Sequence, residues 1–499
     1  MDRIVFLKPY RPEKLFVTTP PLGILAVAAY VRREAARRHE KVELEILDLN
    51  PRRLLPEQVI PRLRQNPATL FGISALSCEA GACRLLSQTL KRHFPATPIV
   101  LGGPFPSHDS DQALRDENID YIVRGEGEET FDELVRVLRE GGDPSTVLGI
   151  GYRRNGELHQ TADRPFIPDL NRLPLPAYDL LDLEPYFDAP RHSRLIAHRE
   201  YMTVVSSRGC PYRCIYCHVT MGKKTRFLSA ERVVDEIEVL VKQFGVREIQ
   251  WADDIWNLDR RRSKRICDLI VERGLDIKMA FPNGVRGDIF DDELLDKMRA
   301  AGTYMITFAP ESGSERVQKF IQKNAKLPVL EQVIAKAARR GIFTHGFFMI
   351  GFPTETEEEM RATFRFALRS KLNTATFFIV NAHPGTRLHE LATEMGLRVD
   401  FRSSALNYMN PNFQLSNVPT AKVRRLLRLT YLRFFLSPSR LWRLVCMMPH
   451  KRQLLDFARE LVHRLWNDLA RRRPDIYLAE GVPPFEPREV EPVTPYNRT

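Results

Sequence analysis

The residues best suited to chemistry stand together in Arg208-Gly209-Cys210-Pro211-Tyr212-Arg213-Cys214-Ile215-Tyr216-Cys217. Three thiolates separated by three and then two residues can grip three corners of a cubic iron-sulfur cluster, leaving the fourth iron without a protein ligand. An open iron can hold a substrate or a cofactor. The competing reading is a zinc site completed by His218 or a distant residue, although paired cysteines are the usual zinc pattern and a second pair is missing. Cys78, Cys83, Cys267 and Cys446 are scattered and read as ordinary buried thiols. Seven cysteines so arranged in 499 residues are no secreted disulfide framework and point to a reducing compartment.

The elements that must position this cluster come in two alternating series. Over residues 3–140, apolar runs at Ile4–Leu7, Val42–Leu47, Leu70–Ile73, Ile99–Leu101 and Tyr121–Val123 alternate with helical patterns. Five such units predict a doubly wound parallel sheet over 1–145, of α/β class. Ligands of these sheets bind at the carboxyl ends of the strands, here Lys8-Pro9, Ser74-Ala75, Gly102-Gly103-Pro104 and Arg124-Gly125-Glu126-Gly127. Residues 146–200, proline-rich and carrying Asn155-Gly156, read as a linker with a small hairpin. From Met202 the alternation resumes, with strands near Ile249–Trp251, Met279–Phe281, Met305–Phe308, Phe347–Ile350 and Thr376–Val380. Six units are too few for a closed eight-fold barrel, so an open, partial barrel is expected over 201–396. A mostly helical region follows over 397–499. Tyr304, Trp251, Trp256 and His345 lie near strand ends and suit either a substrate pocket or a packed barrel interior.

Charge separates the last region from the rest. The net charge is +12, yet Ala421–Arg473 alone holds fourteen Lys/Arg against three acids. Its helical patterning interleaves Leu426, Tyr431, Phe434, Trp442 and Trp466 with the bases. This fits a helical appendage with a solvated basic face, or a surface that docks on anionic lipid. No nucleic-acid reader motif accompanies it, so no nucleic acid is expected. Met1–Lys8 runs straight into a strand, and no stretch of about 18 apolar residues occurs. A cytoplasmic protein without a membrane span, peripheral to the inner membrane face at most, is the expectation.

The cysteine motif, with an aromatic residue before its last thiol, resembles that of the radical S-adenosylmethionine (SAM) enzymes. The resemblance implies a [4Fe-4S] cluster held by Cys210, Cys214 and Cys217, whose open iron chelates the amino and carboxylate groups of SAM. Reductive cleavage then gives a 5′-deoxyadenosyl radical; where cobalamin is present, SAM can instead methylate cob(I)alamin. Tyr216 would lie against adenine. Further segments resemble the family in the same order. Asp253-Asp254 ends the second strand, where the family places polar groups for the methionine amino group, although helix-capping acids would look alike. Glu311-Ser312-Gly313-Ser314-Glu315 follows the fourth strand, with Glu311 and Ser312 as SAM contacts. Phe348-Met349-Ile350-Gly351-Phe352-Pro353-Thr354-Glu355-Thr356 follows on the fifth, with Ile350 and Gly351 beside adenine, and Pro384-Gly385-Thr386 makes a turn after the sixth.

Pro20-Pro21-Leu22-Gly23, Gly102-Gly103-Pro104 and Tyr121–Glu128 resemble the cobalamin-binding domain of class B radical SAM methyltransferases, so the likeness spans about residues 1–395. It implies cobalamin contacts at Ser74, Gly102, Gly103, Gly125 and Glu126. The D-x-H-x-x-G motif that supplies a cobalt-ligating histidine is absent, and the surroundings of His108 do not replace it, which leaves the lower cobalt face unassigned.

The function implied is C-methylation of an unactivated carbon in a lipid or other secondary metabolite. The alternative is oxidative cyclisation or another tailoring reaction of a tetrapyrrole or lipid with the same cofactors. Either requires a small-molecule substrate, hydrophobic if the basic tail is a guide, and a reductase or flavodoxin-type electron donor. A tRNA methylthiotransferase is disfavoured, because only Cys78 and Cys83 precede the barrel. A noncatalytic sensor would not need the SAM segments. No residue stands out as a catalytic acid or base.

Overall fold

The computed structural model describes residues 2–11, 18–191, 193, 195–218, 220–397, 414–455 and 458–459. In the first strand, β1 (Asp2–Lys8), alternate side chains serve two cores. Ile4 and Phe6 pack with Ile24, Leu25 and Phe131, whereas Val5 and Leu7 pack with Cys83, Leu86 and Leu90. A strand apolar on both faces must be covered by helices on both sides, as a parallel sheet demands. The helices Leu22–Arg37 and Gly127–Arg139 supply one layer and Ala80–His93 the other.

Strands β2 (Val42–Asp48), β3 (Leu70–Ser74), β4 (Ile99–Gly102) and β5 (Tyr121–Val123) join β1 in parallel. The hairpin assigned to the 146–200 linker is not free-standing. Its strand β6 (Ile150–Arg154) pairs antiparallel with β5, and β7 (Glu157–Gln160) pairs antiparallel with β6, completing a seven-stranded sheet ordered β2-β1-β3-β4-β5-β6-β7. Further along that stretch several side chains join the core. Tyr178 and Tyr186 are buried, their hydroxyls donating to Glu236 Oε1 at 2.6 Å and Asp48 Oδ2 at 2.5 Å.

The second sheet has six parallel strands, β8 (Tyr201–Val204), β11 (Glu248–Trp251), β12 (Lys278–Val285), β13 (Thr303–Glu311), β14 (Phe343–Ile350) and β15 (Thr374–Ile379). Its order is β15-β14-β13-β12-β11-β8, with the edge strands β15 and β8 not paired to each other, so the barrel is partial and open as expected. A two-stranded ribbon, β9 (Ser207–Arg208) with β10 (Arg226–Phe227), brackets the cysteine loop.

The amino-terminal floor of the barrel is plugged. Glu248 is fully buried, accepting from the Ala197 and His198 amides at 2.8 and 2.9 Å, from Gln250 at 2.7 Å and from the Tyr304 hydroxyl at 3.0 Å. Tyr304 therefore closes the floor instead of lining a pocket. Trp251 and Trp256 pack on each other and on Phe281, again as interior. The helix Thr420–Phe435 runs down the β15 side, where the Tyr431 hydroxyl meets the Phe377 amide at 3.2 Å. The helix Pro438–Met447 crosses the floor, and Leu444 packs with Met305 and Phe343. Trp466 and residues 460–499 lie outside the described residues.

Candidate active site

The cysteine loop leaves the carboxyl end of β8 and is fastened at several points. At Gly209, φ is +86°, and a Cβ there would stand 2.7 Å from the Lys224 carbonyl and 2.8 Å from that of Met221, so only glycine allows the loop to fold back so tightly. Cys210 donates its amide to Gly222 at 3.2 Å. Ile215 is buried between the last two motif cysteines; its N–H bonds the Ile321 carbonyl at 3.1 Å and its carbonyl receives the Leu388 amide at 2.8 Å. Arg286 lies over the Tyr212 ring, 3.8 Å from its centroid.

The thiols of Cys210 and Cys214 are half-buried and that of Cys217 is exposed. The hydrogen bond from Cys217, helped by the Lys323 ammonium, draws Cys214 down to about 6, while the same bond holds Cys217 up. Burial raises Cys210. Among the described residues, no three His, Cys, Asp or Glu side chains are gathered as a preformed single-ion centre. Three thiols on one anchored loop, with a buried cation beside them, fit the donor set and negative charge of a cluster.

The SAM residues divide into two groups. Asp253 is buried and committed, accepting from Ser206 N and Oγ and from Ser207 Oγ at 2.6–3.2 Å. Ser312 is buried, its hydroxyl shared with Thr363 at 3.2 Å and with the Ser314 amide at 3.1 Å. Ile350 is core. The Gly351 amide donates to Glu355 at 2.6 Å, and its carbonyl receives Leu415 N at 2.8 Å. These four position the loops. Asp254 is exposed and uses one oxygen to hold the Gly209 amide at 3.1 Å. Glu311 adopts φ +62°, a left-handed conformation that costs a non-glycine residue about 1–3 kcal/mol. Its Oε1 receives Lys323 Nζ at 3.0 Å and the Tyr216 hydroxyl at 3.3 Å.

Lys323 was not legible in the sequence as a site residue, since an isolated lysine in a loop carries no periodicity. Glu355 is legible in the sequence only as part of the Phe348–Thr356 segment. One oxygen binds the Gly351 and Phe352 amides, the other is buried without a partner, and burial pushes the carboxyl up to about 8.

Facing the loop is a cavity of about 910 Å³ at the carboxyl end of the first sheet. Ser74, Gly102, Gly103, Gly125 and Glu126 all line it, together with Thr203, Arg208, Thr220 and Ala252 from the barrel. Gly125 has φ +72° and nothing within 4 Å of where a Cβ would stand, so its bare backbone opens on space that a ligand can fill. At Gly103 the reason is internal, since a Cβ would strike Ser74 Oγ and the Ala75 carbonyl. The volume and the open glycine rim fit a large cofactor at the carboxyl ends of the strands. Glu126 is a clamp. Its carboxylate takes Arg208 at 2.7 Å, Arg226 at 2.7 Å and the Ile167 amide at 2.6 Å, and Arg208 also reaches Glu128 at 2.5 Å. His108 turns to the barrel, bonding Thr220 at 2.8 Å and packing on His218, and burial lowers it to about 4.

Of the other thiols, Cys83 and Cys267 are buried and Cys78 is half-buried, but Cys446 is exposed, contrary to expectation, because it falls on the outer face of the floor helix.

Comparison with known proteins agrees with this geometry. Residues 204–367 match the radical SAM superfamily and residues 13–135 the B12 binding domain. An uncharacterized methyltransferase of Pyrococcus horikoshii is 30% identical over 425 residues, covering 85% of this chain and 89% of its own length. The anaerobic magnesium-protoporphyrin IX monomethyl ester cyclase of Rubrivivax gelatinosus is 25% identical, over 84% of this chain and 74% of its own. In fold, the cobalamin-dependent SAM radical enzyme OxsB superposes with a TM-score of 0.70 at 17% identity, over 94% of this chain and 81% of that one. The chain belongs to the radical SAM superfamily, in the group that carries an amino-terminal B12-binding domain. It is an enzyme whose cofactors are a [4Fe-4S] cluster, SAM and cobalamin.

Proposed function

We propose that the protein methylates an unactivated carbon of a small hydrophobic molecule, a lipid or other secondary metabolite, in the cytoplasm. The observation that supports this most is the shared cavity, with the cobalamin rim on one wall and residues flanking the cluster loop on the other. When bound, the cluster and SAM supply an adenosyl radical and cobalamin supplies the methyl group. The chain's own work is to hold and enclose. Cys210, Cys214 and Cys217 grip the cluster. Asp254 and Glu311 would offer carboxylate oxygens to the amino and ribose groups of SAM, and Tyr216 would contact its adenine. Asp253, Ser312, Ile350 and Gly351 fix the loops behind them. Ser74, Gly102, Gly103 and Gly125 cradle cobalamin, with Glu126 tying that cradle to the barrel.

The division into 1–145, 146–200, 201–396 and 397–499 follows the same roles, except that the hairpin at 150–160 goes with the first sheet. On β14 and β15 the half-buried His345, Phe347, Met349 and Phe378 alternate with the buried Phe348, Ile350, Phe377 and Ile379. That alternation sets a largely apolar wall on the inner face, suited to a hydrophobic substrate. A reductase or flavodoxin-type donor delivers the electron. Ring-forming oxidation is the second reading, favoured by the similarity to the cyclase of Rubrivivax gelatinosus.

The test is anaerobic reconstitution with iron, sulfide and hydroxocobalamin, followed by SAM carrying a deuterated methyl group, a reductant and a lipid extract. Methyl transfer yields both S-adenosylhomocysteine and 5′-deoxyadenosine, with label in an apolar product. 5′-Deoxyadenosine without S-adenosylhomocysteine would move the reaction to oxidation. Zinc in place of iron, with neither product, would overturn the radical reading.

A further inference from the structure

The helix Pro438–Met447 is built inside out. It buries Arg440, whose guanidinium donates to the carbonyls of Ala367 and Ser370 at 3.1 Å and of Leu372 at 3.2 Å. It exposes Leu441, Trp442 and Val445. Arginine is rarely buried unless paired, and here it caps the carboxyl end of the helix Glu357–Arg369, where a cation is favoured. The fold thus accounts for the arginine but not for the tryptophan.

The outward apolar residues do not stand alone. Among the described residues, the three most exposed large apolar side chains of the chain are Trp442 at 69%, Leu436 at 64% and Leu455 at 62%, all in this segment. Leu429 is exposed as well, on the preceding helix. A cluster of this kind marks an interaction surface. Its setting fixes the chemistry of the occupant, for Thr420–Leu455 contains nine Lys/Arg and no Asp or Glu. Arg425, Arg428, Arg433 and Arg452 are exposed beside the apolar residues.

We infer that this face docks on an anionic lipid surface. Trp442, Leu436 and Leu441 enter the headgroup boundary, and the surrounding bases meet lipid phosphates, the arrangement of interfacial helices. A second copy would bring two all-basic faces together, which repel across a two-fold axis. No helix among the described residues is long and apolar enough to cross a membrane, so the contact is peripheral.

The inference is independent of the reaction, because the face lies on the barrel floor. Arg443 and Arg440 reach Leu372 just before β15, and Gln453 reaches the Ile196 carbonyl before β8. The cluster loop and the cavity occupy the other end. Docking therefore anchors the enzyme by the end of the barrel opposite the cluster loop.

The full-length protein is tested by co-sedimentation with vesicles of phosphatidylglycerol and phosphatidylcholine, against phosphatidylcholine alone. Binding only to the anionic vesicles, weakened by salt, is expected. The Leu436→Ser, Leu441→Ser, Trp442→Ser combination should bind about tenfold more weakly, with unchanged melting temperature and iron content. Arg433→Glu with Arg452→Glu should weaken binding too. Trp442→Phe should keep binding while losing the blue shift in tryptophan fluorescence. Three results would overturn the inference: no anionic preference, undiminished binding by the triple variant, or a dimer in solution that the triple variant converts to monomer.

Discussion

The two ends of the barrel treat buried charge in opposite ways. At the floor Glu248 meets four donors and Tyr304 finishes the plug, so both oxygens of this buried carboxylate are already used. At the carboxyl end Glu311 sits in a strained conformation, Asp254 keeps an oxygen exposed, and one oxygen of Glu355 has no partner. A fully satisfied carboxylate contributes rigidity, whereas a partly satisfied one is held ready for a ligand. Conservation of fold and provision of chemistry have been assigned to different ends of the same strands, as in parallel barrels generally.

The sharpest break in this contrast is Cys214→Ala. Iron should fall from about four per chain to a small residue, and SAM cleavage to background, while bound cobalamin and the melting temperature persist. Iron assay and chromatography of 5′-deoxyadenosine measure both. Next, Gly125→Val puts a branched side chain at φ +72° and into the cavity, so cobalamin affinity should fall about a hundredfold with iron content unchanged. Absorbance of cobalamin retained after gel filtration reads the effect.

At the floor, Glu248→Ala strands two backbone amides and should cost about 2–4 kcal/mol of stability without altering iron loading, seen in denaturant titration. The smallest effect concerns pH. Because burial raises the Glu355 carboxyl from an ordinary value near 4.5 to about 8, the folded state prefers its protonated form. Its contribution is complete below the lower value and is lost as pH rises through the upper one. Glu355→Gln should therefore gain stability relative to the native chain between those two values and keep the gain above them, as melting curves across that range would report.

Local signals carried much of this molecule. The cysteine spacing, the glycine pairs at strand ends and the β/α alternation are each written in a few neighbouring residues, and the two sheets follow them. What stayed hidden depends on partners far apart in sequence. Glu126 reads as a cobalamin contact at a strand end, yet its partners Arg208 and Arg226 lie over 80 residues away. Lys323 acquires meaning only beside Glu311 and Tyr216. The hairpin after Ile150 announces its own turn but not the sheet edge it joins. Arg440 and Trp442 invert the usual rule of polarity, so no periodicity argument could have sorted buried from exposed on that helix.

The Glu126 clamp has a consequence for how two cofactors keep their distance. Arg208 stands two residues before the first cluster cysteine, and Glu126 follows directly on the glycine that opens on the cobalamin cavity. One buried carboxylate thus ties the rim of the cobalamin cavity directly to the strand that leads into the cluster loop, bypassing some 80 residues of chain. Errors in placement accumulate along a chain but not across a single ion pair, so one short ruler would set the spacing of the two cofactor sites.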